Sequence, residues 1–191
     1  CLGPCGVERV NLDNTDVDVA KASWVARQID LRRLSENEIT TLDWSTGDVG
    51  DQDVVDLAEV LTAGDSCTHK MVLTELKLGN SAGIQNGAVL IQLIQHRSSL
   101  VTVDVVGTGL DQAAQGNVTT AARRNRLKPD IDRVIDNSSS LQTVNWSTHG
   151  DIIDDDVIGL IDALPHNAHV SDIQLQGNAE ISDRHMDRLG A

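Results

Sequence analysis

The chain has 191 residues, 40% of them hydrophobic, which is enough for a sizeable apolar core. A formal net charge of −14 repels phosphate backbones and argues against nucleic acid as a partner. With three Trp, no Phe and no Tyr, the core falls to Leu, Ile, Val and Ala, and base-stacking platforms are scarce.

In chain order, residues 1–6 (CLGPCG) are a short irregular lead-in. A strand is expected over 7–12. A helix follows over roughly 17–34, its apolar stripe formed by Val17, Ala20, Trp24, Val25, Ile29 and Leu31. The second strand covers 39–44. Gly47 and Gly50 then break the chain, and Asp51 or Asp53 suits the free amides that open a helix running to Leu61. The third strand is 73–78 and its helix 86–97, with Val89, Leu90, Leu93 and Ile94 turned inward. The fourth strand is 100–105. An overlong segment of about 111–140 comes next, read as a helix over 111–126, a break at Pro129 and a short helix over 130–136 carrying Ile131, Val134 and Ile135. The fifth strand is 141–146 with its helix at 154–164, and the sixth is 170–175 with a closing helix near 182–189.

The six strands share one design, with apolar residues at the first, fourth and sixth places. They are Val7-Val10-Leu12, Ile39-Leu42-Trp44, Leu73-Leu76-Leu78, Leu100-Val103-Val105, Leu141-Val144-Trp146 and Val170-Ile173-Leu175. Two units are near-duplicates: ITTLDWST (39–46) matches LQTVNWST (141–148), and DQDVVDLAEVL (51–61) matches DDDVIGLIDAL (154–164) after a one-residue shift. Repetition at this period marks a solenoid, in which each unit buries its apolar face on its neighbours. A helix between successive strands makes them parallel. Helices are wider than strands, so they take the outside of an arc. The expected fold is therefore an α/β solenoid, a single domain over 1–191 with parallel strands on the concave side and helices on the convex side. Solenoid ends need caps, and the chain opens on Cys1 rather than Met. The protein is accordingly expected to continue past an end or to be capped by a partner.

This pattern resembles the leucine-rich repeat family, and its α-helical repeats of about 28 residues resemble the ribonuclease-inhibitor-like subclass. LTELKLGNSAGIQNGAVLIQLI (73–94) and SSLVTVDVVGTGL (98–110) are similar to the carboxy-terminal domain of tropomodulins. The sequence departs from the family in three respects. The asparagine that follows the third apolar place recurs only at Asn14, Asn80 and Asn178, Trp stands at two third places, and the fourth repeat carries the insertion. The resemblance implies a right-handed solenoid, a protein partner and, within that, a cytoskeletal, actin-like one.

Catalytic and metal motifs are thin. His166 and His169 fall in a loop after Pro165, with no third ligand nearby. Asp151 and Asp154–Asp156 lack the spacing, glycine and closing Glu of a calcium loop and read as a helix start. The glycines at 47, 50, 107 and 109 lack the Lys-Ser/Thr ending of a phosphate loop. Asn117, Asn137 and Asn145 open glycosylation sequons. The three cysteines, Cys1, Cys5 and Cys67, have no disulfide spacing and fit a reducing, cytoplasmic setting. No apolar run of about 18 residues suggests a membrane span.

The function expected is therefore binding, with no catalytic residue, cofactor or metal assigned. The outward strand residues form the candidate face: Glu8, Arg9 and Asn11; Asp43; Glu75 and Lys77; Asp104; Asn145; and Gln174. A second candidate is the basic cluster of Arg123, Arg124, Arg126, Lys128 and Arg133, expected as one exposed patch for an acidic partner. Two other classes compete: a structural segment of a longer repeat protein, of axonemal or innate-sensor type, and an enzyme or small-ligand receptor. The second is disfavoured because a shallow concave sheet lacks a deep pocket.

Overall fold

The computed structural model describes residues 19–36, 38–45, 48–63 and 72–182. The first expected strand, all three cysteines and the closing helix beyond Ser182 lie outside them. So do Val7, Val10, Leu12 and Leu189, on which the expectation of open ends turned. The described elements alternate: α1 (Val19–Ser35), β1 (Thr41–Asp43), α2 (Asp51–Ala63), β2 (Glu75–Lys77), α3 (Gly87–His96), β3 (Thr102–Asp104), α4 (Gln112–Ile135), β4 (Thr143–Asn145), α5 (Asp154–Ala163), a 3-10 turn (Leu164–His166) and β5 (Asp172–Gln174). The chain groups into two compact units, Cys1–Arg126 and Leu127–Ala191, divided within α4. No helix among the described residues is long and apolar enough to cross a membrane.

In the first unit β1, β2 and β3 form a parallel sheet in chain order. The register aligns Leu42, Leu76 and Val103, and all three are buried. Their neighbours Thr41, Asp43, Thr102 and Asp104 are exposed. This is the period-two alternation of a sheet with one buried face. The next inward places, Trp44, Leu78 and Val105, extend the same layer, and helices α2 and α3 cover it with Val54, Leu57, Leu61, Leu90, Leu93 and Ile94. Each buried aliphatic contributes about 1.5–3 kcal/mol. Arg27 of α1 pairs with Asp53 of α2 at 2.8 Å. Asp53 also accepts the Gly50 amide at 2.9 Å, so one carboxylate closes the helix start and ties it to its neighbour. Trp24 is 55% exposed and does not join the apolar stripe of α1.

In the second unit β4 and β5 pair in parallel, with Val144 opposite Ile173. The core gathers Leu127, Val134, Leu141, Val144, Trp146, Ile152, Val157, Leu160, Ile161 and Leu175. The break expected at Pro129 does not occur: α4 runs through it to Ile135. An interior proline costs a helix about 3 kcal/mol. Here Leu127 and Val134 are buried on either side of Pro129, whose own ring faces solvent, and that burial is of comparable size. Ile135 is exposed, so this end of α4 presents Ile131 and Val134 to the core instead.

The duplicated repeats share more than their sequence. The Trp44 indole N–H donates to Asp30 at 3.0 Å, and the Trp146 indole N–H donates to Asp130 at 3.1 Å. In each case the acceptor comes from the preceding helix. Asp51 accepts the amides of Gln85 and Asn86, while Asp154 accepts the amide and hydroxyl of Ser182. Each helix start thus caps the loop of the following repeat. Asn80 and Asn178 differ in role. Asn80, two places after Leu78, adopts φ +64° and is exposed. Its counterparts two places after Val105 and Leu175 are Gly107 and Gly177, with φ +78° and +86°. These positions need the left-handed region, which glycine and asparagine enter most cheaply. Asn178 lies one place later and is buried.

Candidate functional site

The outward row of the first unit is ordered by the sheet register. Thr41, Glu75 and Thr102 stand side by side, and so do Asp43, Lys77 and Asp104. The Thr41 hydroxyl donates to Glu75 Oε2 at 3.3 Å, and Lys77 Nζ lies 3.6 Å from Glu75 Oε1. Asp43 Oδ1 accepts the Ser45 amide at 3.1 Å and its hydroxyl at 2.6 Å. The Ser45 hydroxyl and amide hold the Asp43 carboxyl below its ordinary value, with a smaller contribution from Lys77. Asp104 Oδ1 accepts the Val106 amide at 3.0 Å.

In the second unit a neutral side chain, Asn145, makes the turn that Asp43 makes in the first. Asn145 Oδ1 accepts the Ser147 amide at 3.1 Å and its hydroxyl at 2.7 Å. Gln174 Nε2 donates to Asp172 Oδ2 at 2.7 Å. Three of the candidate side chains, Asp43, Asp104 and Asn145, thus fold the chain as it leaves its strand, the local turn that Asp and Asn favour. Sequence reading missed this role. Its signal was the recurrence of Asp43-Trp-Ser45 as Asn145-Trp-Ser147. Glu8, Arg9 and Asn11 lie outside the described residues.

The basic cluster does not form the single exposed patch that was expected. In the first unit Arg123 is buried, Arg126 is half-buried and Arg124 is exposed. Arg123 turns back along its own helix, and its Nη2 donates to Thr120 at 3.4 Å. In the second unit Lys128 pairs with Asp132 at 2.8 Å, and Arg133 lies 3.8 Å from Asp130. Helical spacings of three and four bring these partners together. A count of cations along the sequence does not register the acids one turn away.

The remaining motifs are placed as follows. Asp154, Asp155 and Asp156 occupy the first turn of α5, and Asp156 accepts the Ile153 amide at 3.1 Å. That is the helix-start role expected of them. His166 ends the 3-10 turn and His169 follows it; both are exposed. No protein-family model, curated protein or solved structure matches the chain.

Proposed function

We propose that the chain is a non-enzymatic scaffold of leucine-rich-repeat type that binds another protein through the outward face of its strands. One observation carries the proposal: in the first unit, polar side chains from three parallel strands stand in register on an exposed sheet face. Such a face offers hydrogen-bonding groups at the fixed spacing of a sheet, about 4.8 Å between strands. A protein surface can match it, and it gives a small substrate no enclosure. The candidate carboxylates are held in turns, which suits recognition by fixed groups rather than proton transfer. The solenoid reading rests on the six-fold strand pattern and the duplicated repeat. A cytoskeletal partner is the narrower form, carried by the resemblance to tropomodulins, and co-sedimentation with filamentous actin tests it.

The test of the binding face is site-specific crosslinking. A photoreactive side chain is placed at Thr102 on the sheet face or at Glu59 on the exposed side of α2, and the protein is irradiated in a cell extract. The proposal expects a discrete crosslinked protein from position 102 and little from 59. Equal labelling from both positions, or labelling from 59 alone, removes the sheet face as the binding surface.

A further inference from the structure

We infer that Asn86 is a deamidation site held closed by the first turn of α3. It converts to isoaspartate when that turn opens, and the product no longer caps the helix.

The sequence contains one Asn-Gly pair, Asn86-Gly87. Glycine has no Cβ to shield its own amide nitrogen and its backbone turns freely, so Asn cyclises more readily onto Gly than onto other residues. The Gly87 nitrogen attacks Asn86 Cγ. Its proton passes through water to the departing Nδ2 nitrogen, which leaves as ammonia, and a succinimide ring remains. Water opens the ring at either carbonyl. One product is aspartate; the other is isoaspartate, with an extra carbon in the main chain. Water is the only co-reactant.

Capping and packing account for both residues. Asn86 is the N-cap of α3, and its Oδ1 accepts the Ala88 amide at 3.1 Å. Gly87 is buried beside α4, where a Cβ would lie 3.4 Å from Ala114 Cβ and 3.7 Å from Val118 Cγ2. The pair is therefore kept despite its chemistry.

The same geometry holds the reaction back. Ring closure needs the Gly87 nitrogen against Asn86 Cγ. At ψ 95° that nitrogen lies on the far side of the Cα–C bond from Cβ, and the carboxamide is committed to Ala88. Asp51 fixes the turn from outside the helix, its Oδ1 accepting the Gln85 and Asn86 amides at 2.8 and 2.9 Å. Asn86 is nonetheless exposed, and the Gly87 amide, first in the helix, has no intrahelical acceptor. Rotation about ψ of Asn86 is what separates the reacting atoms from contact, and it requires the turn to open.

The test is incubation of the full chain in mildly alkaline buffer, with and without urea, followed by peptide mapping and isoaspartate-specific enzymatic methylation. In urea Asn86 should react ahead of every other asparagine, and Gly87→Ala should slow it. In native buffer its rate should fall at least about tenfold, the protection that a closed turn gives. Asp51→Ala loosens the turn and leaves the pair intact, so it should raise the native rate and not the rate in urea. Chain carrying isoaspartate at position 86 should melt below the unmodified protein, whereas Asn86→Asp keeps a capping oxygen and should not. The native and urea rates of the unaltered chain decide the matter even if Asp51→Ala does not fold. Equal rates in native buffer and urea, earlier reaction at another asparagine in urea, an unchanged native rate in folded Asp51→Ala, or an unchanged melting temperature with isoaspartate at 86 overturns the inference.

Discussion

Removing the Asn178 side chain should strand three backbone groups inside the second unit. Its Nδ2 donates to the carbonyls of Trp146 and Leu175 at 3.0 and 2.8 Å, and its Oδ1 accepts the Ile152 amide at 3.2 Å. The residue is 8% exposed, so water does not easily replace these partners. At about 1 kcal/mol net for each bond, Asn178→Ala should cost about 3 kcal/mol. The first unit offers the reverse experiment. Trp44 N–H bonds Lys77 O as Trp146 N–H bonds Gln174 O, and the Gly50–Gly83 bridge matches the Ile153–Glu180 bridge. In this correspondence Ser81 stands where Asn178 does. The Ser81 hydroxyl is buried, with the residue 2% exposed, and has no hydrogen-bond partner. Ser81→Asn should reach the Trp44 and Leu78 carbonyls and the Val49 amide. Three bonds of about 1 kcal/mol, less about 1–2 kcal/mol to order the longer side chain, leave a gain of about 1–2 kcal/mol. Urea unfolding followed by far-ultraviolet circular dichroism measures both changes, and slower exchange of the Val49 amide would mark the new bond. A loss below about 1 kcal/mol for Asn178→Ala, or any destabilisation by Ser81→Asn, refutes the correspondence.

Trp44 and Trp146 are both buried, and replacing either with Ala should cost about 3–5 kcal/mol in the same unfolding assay. Trp146→Phe should cost at least about 1 kcal/mol, because Asp130 loses its indole donor. A cost of zero would show that the bond contributes nothing. Gly159 lies inside α5 with open space around its Cα, so Gly159→Ala should stabilise by about 0.5–1 kcal/mol. A lower melting temperature would reveal a close contact there. The Asp43 carboxyl titrates below its ordinary value of 3.8. A depressed pKa in the fold gives a stabilising contribution that is present above 3.8 and lost as pH falls through the folded value. Carbon-detected titration should find the Asp43 midpoint below 3.8, and Ser45→Ala should move it upward. An unchanged midpoint would mean that Ser45 does not hold the charge.

The alternation of short strands and helices is legible in the sequence because each strand combines alternating burial with three apolar places at fixed offsets. Leu42, Leu76, Val103 and Val144 all point inward as that spacing predicts. The missed features depend on contacts that a linear pattern does not carry. Pro129 reads as a stop until the burial of Leu127 and Val134 is set against its cost. Asn80 and Asn178 look alike in sequence, yet one extra residue in the turn sends Asn178 into the core and leaves Asn80 in an exposed left-handed bend. Lys128 and Arg133 read as available cations until the helix brings Asp132 and Asp130 beside them. The outward strand residues are legible as a face. That Asp43, Asp104 and Asn145 also hold their own turns is not, because that bond depends on backbone geometry two residues away.

The central claim is that a protein partner lies across the outward strand face. Methyl resonances of the chain, recorded with and without the partner captured by crosslinking, test it most directly. Thr41 and Thr102 report on the sheet face, and Thr62 on α2 and Ala88 on α3 report on exposed helix surface. The account predicts shifts at Thr41 and Thr102 with Thr62 and Ala88 unmoved. Shifts at Thr62 and Ala88, with Thr41 and Thr102 unchanged, would contradict it.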